Sequence, residues 1–435
     1  MSARERLRSV AVLGAGQVAL LAACAIARTL PGTSVRVLHA PVCDDALADQ
    51  AHTTLPTLAR LHERIGMDEP GMMARAAASH RLATRLIAPD LPAGWMAHGA
   101  AADPVPAWAI RSEGGGVATG PAAALAQAGR YAPPSDDPAS PLSDIDHALR
   151  WSPAAYRARL ASLARHLGVT FGEGGDGDPA TVDADLVIDA AGQRAVADWI
   201  DWSRELPVDR VESATGRPDL SVVDTVELTS DRVRVTSPGR DATRIVTLSR
   251  GGAGVAIANG RRQVAWDGRV VAIGDAAAML PPLGWANLHL AVLAIELLVE
   301  LLPGRAIDPL ERAEWNRRFG RAADATCDFV AAHLAGLPST HPLAPAQSPL
   351  LALRIAEFVR RGRIPYVEED AVPRDLWIQL LTATGITPGI SARVAATDPT
   401  TRAAARSAHD RRIAQAVAMA EPYPAWLART HGASA

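Results

Sequence analysis

The segment Ser9–Ala19, SVAVLGAGQVA, constrains the fold more than any other stretch of the chain. Ser9 to Leu13 is a short apolar run of the kind that forms a buried strand. Gly14-Ala15-Gly16 then makes a turn, and Val18 to Leu30 reads as a tightly packed helix ended by Pro31-Gly32. Ser34 to His39, SVRVLH, is the next strand. The order strand, glycine turn, helix, strand opens a parallel nucleotide-binding sheet. GAGQVA is a GxGxxA form of the dinucleotide fingerprint. Gly14 permits the tight turn, Gly16 lets backbone approach a pyrophosphate, and Ala19 lets helix and strand pack closely. Free N–H groups at the helix start would face the phosphates. The competing reading is a glycine-rich turn in an α/β core that binds nothing.

Two later segments extend the pattern. VVAIGDAAAMLPP, Val270 to Pro282, is a buried strand opening into Gly274-Asp275-Ala276 ahead of a helix. Gly274 allows backbone approach, and Asp275 is placed to hydrogen-bond a ribityl chain. An aspartate capping a helix is the alternative. With GAGQVA more than 250 residues earlier, the segment favours FAD over NAD. ADLVIDAAGQRA, Ala184 to Ala195, reads as a strand and turn near the adenosine part, with Asp189 fixing a loop. The acid expected at the end of the second strand, which would accept from the ribose hydroxyls, is missing. His39 stands there, as a single substitute hydrogen-bonding group or a surface histidine at a strand end, and Asp44 and Asp45 follow.

The remaining pattern suggests an α/β chain: an FAD-binding Rossmann-like core, an inserted antiparallel sheet and a mainly helical C-terminal part. Leu55 to Arg85 reads as helical with a break near Gly66. Pro89 to about Ser140 reads as loops and short strands, and Pro153 to His166 as a helix. VELTS, RVRVT, RIVTLS and GVAIA suggest the inserted sheet at about 205–262. Residues 1–310 are then one α/β module and 311–435 a helical region packed on it. The run Leu283 to Leu302 carries Asn287, His289, Glu296 and Glu300, which suit a buried core helix better than a membrane span. A net charge of −3 gives no reason to expect nucleic acid or an anionic membrane. Three cysteines without a CxxC or Cys/His cluster fit a reducing cytoplasm. No metal motif, G-x-S-x-G elbow or triad is evident, and the twelve histidines look scattered, as surface or structural residues.

In order and spacing the chain resembles the flavin-dependent tryptophan halogenase family. The likeness runs through GAGQVALLAACAIARTLP, TTLPTLARLHERIGMDEP, HALRWSPAAYRARLASLARHLGV, VVAIGDAAAMLPPLGWANLHLAV and ATCDFVAAHL. It implies FAD, a flavin reductase as separate partner, an aromatic substrate, and hypohalous acid passing to a lysine with a glutamate nearby. Carried over to this chain, the lysine position is Arg81 and the glutamate position is Gly284. The adjacent serine position is Trp285, which narrows the pocket or stacks on an aromatic ligand. Asn287 follows as a second pocket candidate. The flavin-contacting segment falls on Asp49 to Pro56, and the WxWxIP signature on Ala242 to Thr247, where it is absent. Arginine stays protonated and lacks an amine lone pair, so Arg81 cannot form a haloamine. His80 is the nearest residue to take over a relay, although a helix-surface position suits it better. These substitutions imply weak FAD binding or its loss. Two readings stay open: an FAD-dependent monooxygenase or oxidoreductase with altered chemistry on an aromatic or apolar molecule, and a non-catalytic protein that binds a ligand or partner. A homodimer is compatible with both.

Overall fold

A computed structural model describes residues 5–89, 91–99, 120–175, 177–192, 196–390 and 392–432. The end of ADLVIDAAGQRA and part of the Pro/Gly/Ala-rich stretch lie outside the described residues. The opening motif forms strand β1 (Ser9–Leu13) and helix α1 (Gln17–Thr29). Strand β1 lies between Ser34–His39 and Leu186–Asp189, parallel to both, in registers Val10↔Val35 and Val10↔Leu186. Val270–Ala272 joins in parallel beyond Leu186–Asp189, and Thr170–Glu173 beyond Ser34–His39. Trp266–Asp267 closes one edge antiparallel. The expected parallel sheet is therefore present, with Gly14 and Gly274 at the carboxyl ends of strands in the same sheet. Helix α1 is buried from Gln17 to Ile26. Its alanines let the helices Pro153–His166 and Ala286–Glu300 approach it closely.

The second sheet has seven strands in the order 255–256, 210–216, 243–249, 232–237, 223–228, 83–87 and 94–97. Five come from the β-rich stretch expected near 205–262. The other two come from further up the chain, and Ala83–Ile87 pairs parallel with Val223–Leu228. This corrects the helical reading of Leu55 to Arg85. Helices end at Arg75, and Ser79–Arg81 and Ala83–Ile87 are strands. The neighbouring strand supplies ladder hydrogen bonds, and such tertiary pairing outweighs the helix preference of Leu, Ala and Arg. The stretch read as loops and short strands also contains a helix, Pro121–Gln127.

After residue 308 the chain is mainly helical, through Pro309–Ala332, Pro349–Arg361, Arg374–Ala383, Pro399–Met419 and Tyr423–His431. The apolar run near 283–302 forms helix Ala286–Glu300, packed inside the core. Among the described residues, no helix is long and apolar enough to cross a membrane.

Candidate functional site

The strand ends of the parallel sheet create the crevice where α/β proteins of this type hold dinucleotides. Gly14 has φ +128°, and a Cβ there would lie 2.7 Å from the Ala190 carbonyl oxygen and 3.1 Å from the Ala19 side chain. Gly274, at φ +59°, abuts Val18. Gly14 and Ala19 of the fingerprint thus do the steric work expected of them. At Gly16 the outcome differs. A side chain at Gly16 would collide with the carboxyl group of Asp49. Asp49 Oδ1 accepts the Val18 N–H at 2.9 Å, so a carboxylate already occupies the N-terminus of α1.

The segment carrying Asp49 is bolted in place. It forms the short helix α2 (Leu47–Gln50). Gln17 Nε2 donates to the Ala48 and Ala51 carbonyls at 2.6 and 2.7 Å. Asp275 Oδ2 accepts the Ala48 N–H at 2.8 Å, so the chain itself takes a bond offered to a ribityl group. Burial pushes the Asp49 carboxyl up to about 6, against the pull of the Val18 N–H and Arg157. Burial also raises Asp275 well above the usual carboxylate range, and Asp49 and Asp45 add to the effect. The crevice therefore concentrates carboxyl groups where the fingerprint would place phosphates. His39 is exposed at its strand end, 4.0 Å from Glu173. Asp189 accepts the Ala191 N–H and so fixes the turn.

The second locus is a buried charge cluster under the seven-stranded sheet. Arg81 lies inside, with Nη2 donating to the Thr54 carbonyl at 2.6 Å and Nη1 3.4 Å from Asp224. Arg150 Nε donates to Asp224 Oδ1 at 2.8 Å. The Trp285 indole N–H donates to Asp224 Oδ2 at 2.9 Å. Burial alone would raise the Asp224 carboxyl, but Arg150 and then Arg81 hold it below the usual range. Burial brings Arg81 down only to about 10, so it remains a cation near neutrality. Trp285 has left-handed backbone at φ +58°, and the edge of the His52 ring packs on it at 4.4 Å. Burial, with help from Arg244, drives His52 down to about 3, so it is neutral.

Gly284 is also left-handed, and a Cβ there would lie 2.9 Å from the His333 ring and 3.1 Å from Phe329. The closed packing leaves no room for a carboxylate at that position. Asn287 is buried, and neither atom of its amide has a hydrogen-bond partner among the described residues. A cavity of about 290 Å³ lies between α2 and the seven-stranded sheet. Leu47, Ala51, His52, Val246, Pro282 and Trp285 contribute to its wall.

His80 is not the helix-surface histidine expected from the sequence. It lies in strand Ser79–Arg81 and is fully buried. Successive strand residues point to opposite faces. His80 accordingly faces Glu69 and Tyr423, while Arg81 faces Asp224. Of the histidines read as surface or structural residues, His52, His62, His80, His98, His289 and His333 are buried. Sequence reasoning missed Arg150 and Asp224. Asp224 did carry a signal, since it falls on the inward face of an alternating strand, VDTVEL. Sequence reasoning singled out Asp49 with its segment, but not its bond to Val18, 31 residues away.

The tryptophan halogenase family model matches residues 9–219 and 246–400. A stretch of 81 residues is 32% identical to the tryptophan 7-halogenase RebH of Lentzea aerocolonigenes, covering 19% of this chain. The match spans 15% of that relative's length. The fold is similar to BrvH, a flavin-dependent halogenase from Brevundimonas sp. BAL3. The TM-score is 0.86 at 21% identity, covering 98% of this chain and 99% of that one. A flavin-dependent halogenase from Xanthomonas campestris gives 0.85 at 19% identity, over 99% and 100% of the two chains. At those identities the likeness speaks to the fold.

Proposed function

Since the chain belongs to the tryptophan halogenase family, we propose that it is a halogenase-fold protein that does not halogenate free tryptophan and instead binds a small apolar or aromatic molecule. The observation that carries this reading is the Asp49 carboxyl group at the N-terminus of α1. A helix N-terminus attracts anions, and here one of the chain's own anions has taken the place. A pyrophosphate entering the crevice would have to displace α2 and sit beside Asp49, Asp45 and Asp275. FAD binding is therefore weak or lost. Family members depend on flavin, so weak binding removes the oxidant at its source.

The second locus supports the same reading. Arg81 offers no amine lone pair, and its guanidinium is committed to Asp224 and Thr54. Position 284 is closed by His333 and Phe329. His80 leaves its strand on the other face and does not replace the relay. The cavity beside Trp285 has mainly apolar walls, with Gln50, Ser213, Thr215 and Arg244 also on its lining, which suits a largely apolar ligand that carries a polar group. The retained steric roles of Gly14 and Gly274 favour the second reading, an oxidoreductase that still admits flavin after α2 moves.

One set of measurements separates the two. Calorimetric titration with FAD at pH 8 is expected to show no saturable binding. Asp49→Gly should improve affinity at least about tenfold, which is about 1.4 kcal/mol. Supplied with a flavin reductase, NADH, FAD, oxygen and halide, the chain should leave tryptophan and indole unmodified by mass spectrometry. FAD retained through purification, or a single halogenated regioisomer above a protein-free control, would overturn the reading.

A further inference from the structure

Glu69, His80 and His147 come from three separate places in the chain and meet around one carboxyl group. His80 Nε2 is 2.9 Å from Glu69 Oε1, and His147 Nε2 is 2.8 Å from Glu69 Oε2. One ligand atom from each residue falls within 4.8 Å of the others, and among the described residues no other His, Cys, Asp or Glu group is arranged in this way. We propose that this cluster is a binding site for a first-row divalent metal ion, held by two imidazoles and one carboxylate.

The donor set fits. Imidazole with carboxylate suits Zn²⁺ and its first-row neighbours, whereas an all-oxygen set would suit Mg²⁺ or Ca²⁺. The spacing is close. In the tetrahedral geometry of zinc, bonds of about 2.0–2.1 Å place donor atoms about 3.3–3.4 Å apart, so the nitrogen–oxygen pairs at 2.9 and 2.8 Å would open by about 0.5 Å on binding. Both imidazoles present Nε2 to the same carboxylate, one to each oxygen, so an ion entering between them would take the place of two hydrogen bonds.

The outer groups are also of the right kind. A metal-bound imidazole usually has its other nitrogen held by a polar partner. Here His80 Nδ1 lies 3.1 Å from the Tyr423 hydroxyl, and His147 Nδ1 lies 3.4 Å from the Tyr131 hydroxyl. The Tyr423 oxygen also accepts the His80 backbone N–H at 2.8 Å, which fixes its place. Without a metal, each Nε2–H donates to Glu69 and Tyr423 can donate to Nδ1. With a metal, Nε2 must give up its proton and Nδ1 must carry one. The tyrosine hydroxyl can donate or accept, so it serves both tautomers.

Access is one-sided. The His80 side chain is sealed by the rings of Tyr131, Tyr423 and Trp426. The Glu69 side chain is 40% exposed and His147 is 12% exposed, so an ion would enter from the Glu69 side. Three protein ligands with one open side leave room for water or another small ligand on the ion. The site is separate from the crevice and does not depend on the flavin reading. It also joins helix Glu69–Arg75 and strand Ser79–Arg81 to the C-terminal helix that carries Tyr423, so binding should tie the chain's end to its core.

The test uses the tag-free full chain, stripped with EDTA and dialysed. Titration with ZnCl₂ is expected to show one saturable site per chain and a rise in melting temperature. His147→Ala and Glu69→Gln, both at partly exposed positions, should each weaken binding about tenfold or more, with unchanged circular dichroism. X-ray absorption at the zinc edge on the unaltered chain provides a reading that does not depend on how the variants fold. Two imidazoles and a carboxylate in the first shell are expected. No saturable binding, unchanged affinity in both variants, or a first shell without two imidazoles would each overturn the proposal.

Discussion

Asp49 and Asp224 are both buried carboxyl groups, yet their surroundings differ in kind. Asp224 faces two guanidinium groups and an indole N–H. Asp49 has one backbone N–H on its carboxylate and a more distant charge from Arg157. The first carboxyl is held below its usual range and the second is pushed up to about 6. Burial is the largest single influence on each, so the difference lies in the compensation. The comparison teaches that one locus has been rebuilt as a neutralised rivet. The other has been filled by a group whose charge is poorly compensated, and this is the locus a mutation or a change in pH can reopen.

The strongest way to break the comparison is Asp224→Ala. It would leave Arg81 and Arg150 as buried cations without their carboxylate. The expected loss is about 3–5 kcal/mol in urea denaturation, the range for removing one partner of a buried ion pair. A loss below about 1 kcal/mol would show that the cluster is solvated and is no rivet.

Asp49→Asn sharpens the other side. Raised from 3.8 to about 6, the Asp49 carboxyl binds its proton more tightly in the folded chain than in the unfolded one. Its contribution is fully present below the unfolded value and is lost as pH rises through the folded value. Wild type should therefore match Asp49→Asn near pH 4 and fall behind it between pH 4 and 6, ending roughly 3 kcal/mol less stable by pH 8. The difference between the two chains is the quantity to measure. Buried histidines such as His52 and His289 lose stability in acid in both chains. A pH-independent difference would mean that Asp49 is already solvated.

The smallest effect is expected at His39, exposed at its strand end. His39→Ala should change the melting free energy by less than about 0.5 kcal/mol, as for surface positions generally. In the Asp49→Gly background it should also leave FAD titration unchanged, because on the proposed reading Asp49, and not the strand end, closes the crevice. A measurable loss of FAD affinity would show that the adenosine side of the crevice still receives a ligand.

The opening unit was legible because its reasons are local. SVAVL, the glycine turn and the apolar helix follow one another, and each forms where its own periodicity requires. Gly14 and Ala19 follow from steric needs of that turn. The resemblance implied that Arg81 and Gly284 stand at the lysine and glutamate positions, with Trp285 next to Gly284. It left open where Arg81's charge would go. The answer is Asp224, 143 residues later, brought close by a parallel pairing of Ala83–Ile87 with Val223–Leu228. That pairing also overturned the helical reading through Arg85.

By itself the sequence determined the parallel nucleotide-type sheet, the β-rich insertion and the helical C-terminal part. Hydrophobic period and residue identity are enough for those. Only the tertiary structure decided that Asp49 caps α1, that Arg81 and Arg150 share Asp224, and that His80 and His147 meet at Glu69. The physical reason is the same in each case. A buried polar group needs a partner, and which partner it finds depends on strand pairing and loop docking across many residues rather than on its neighbours in the chain.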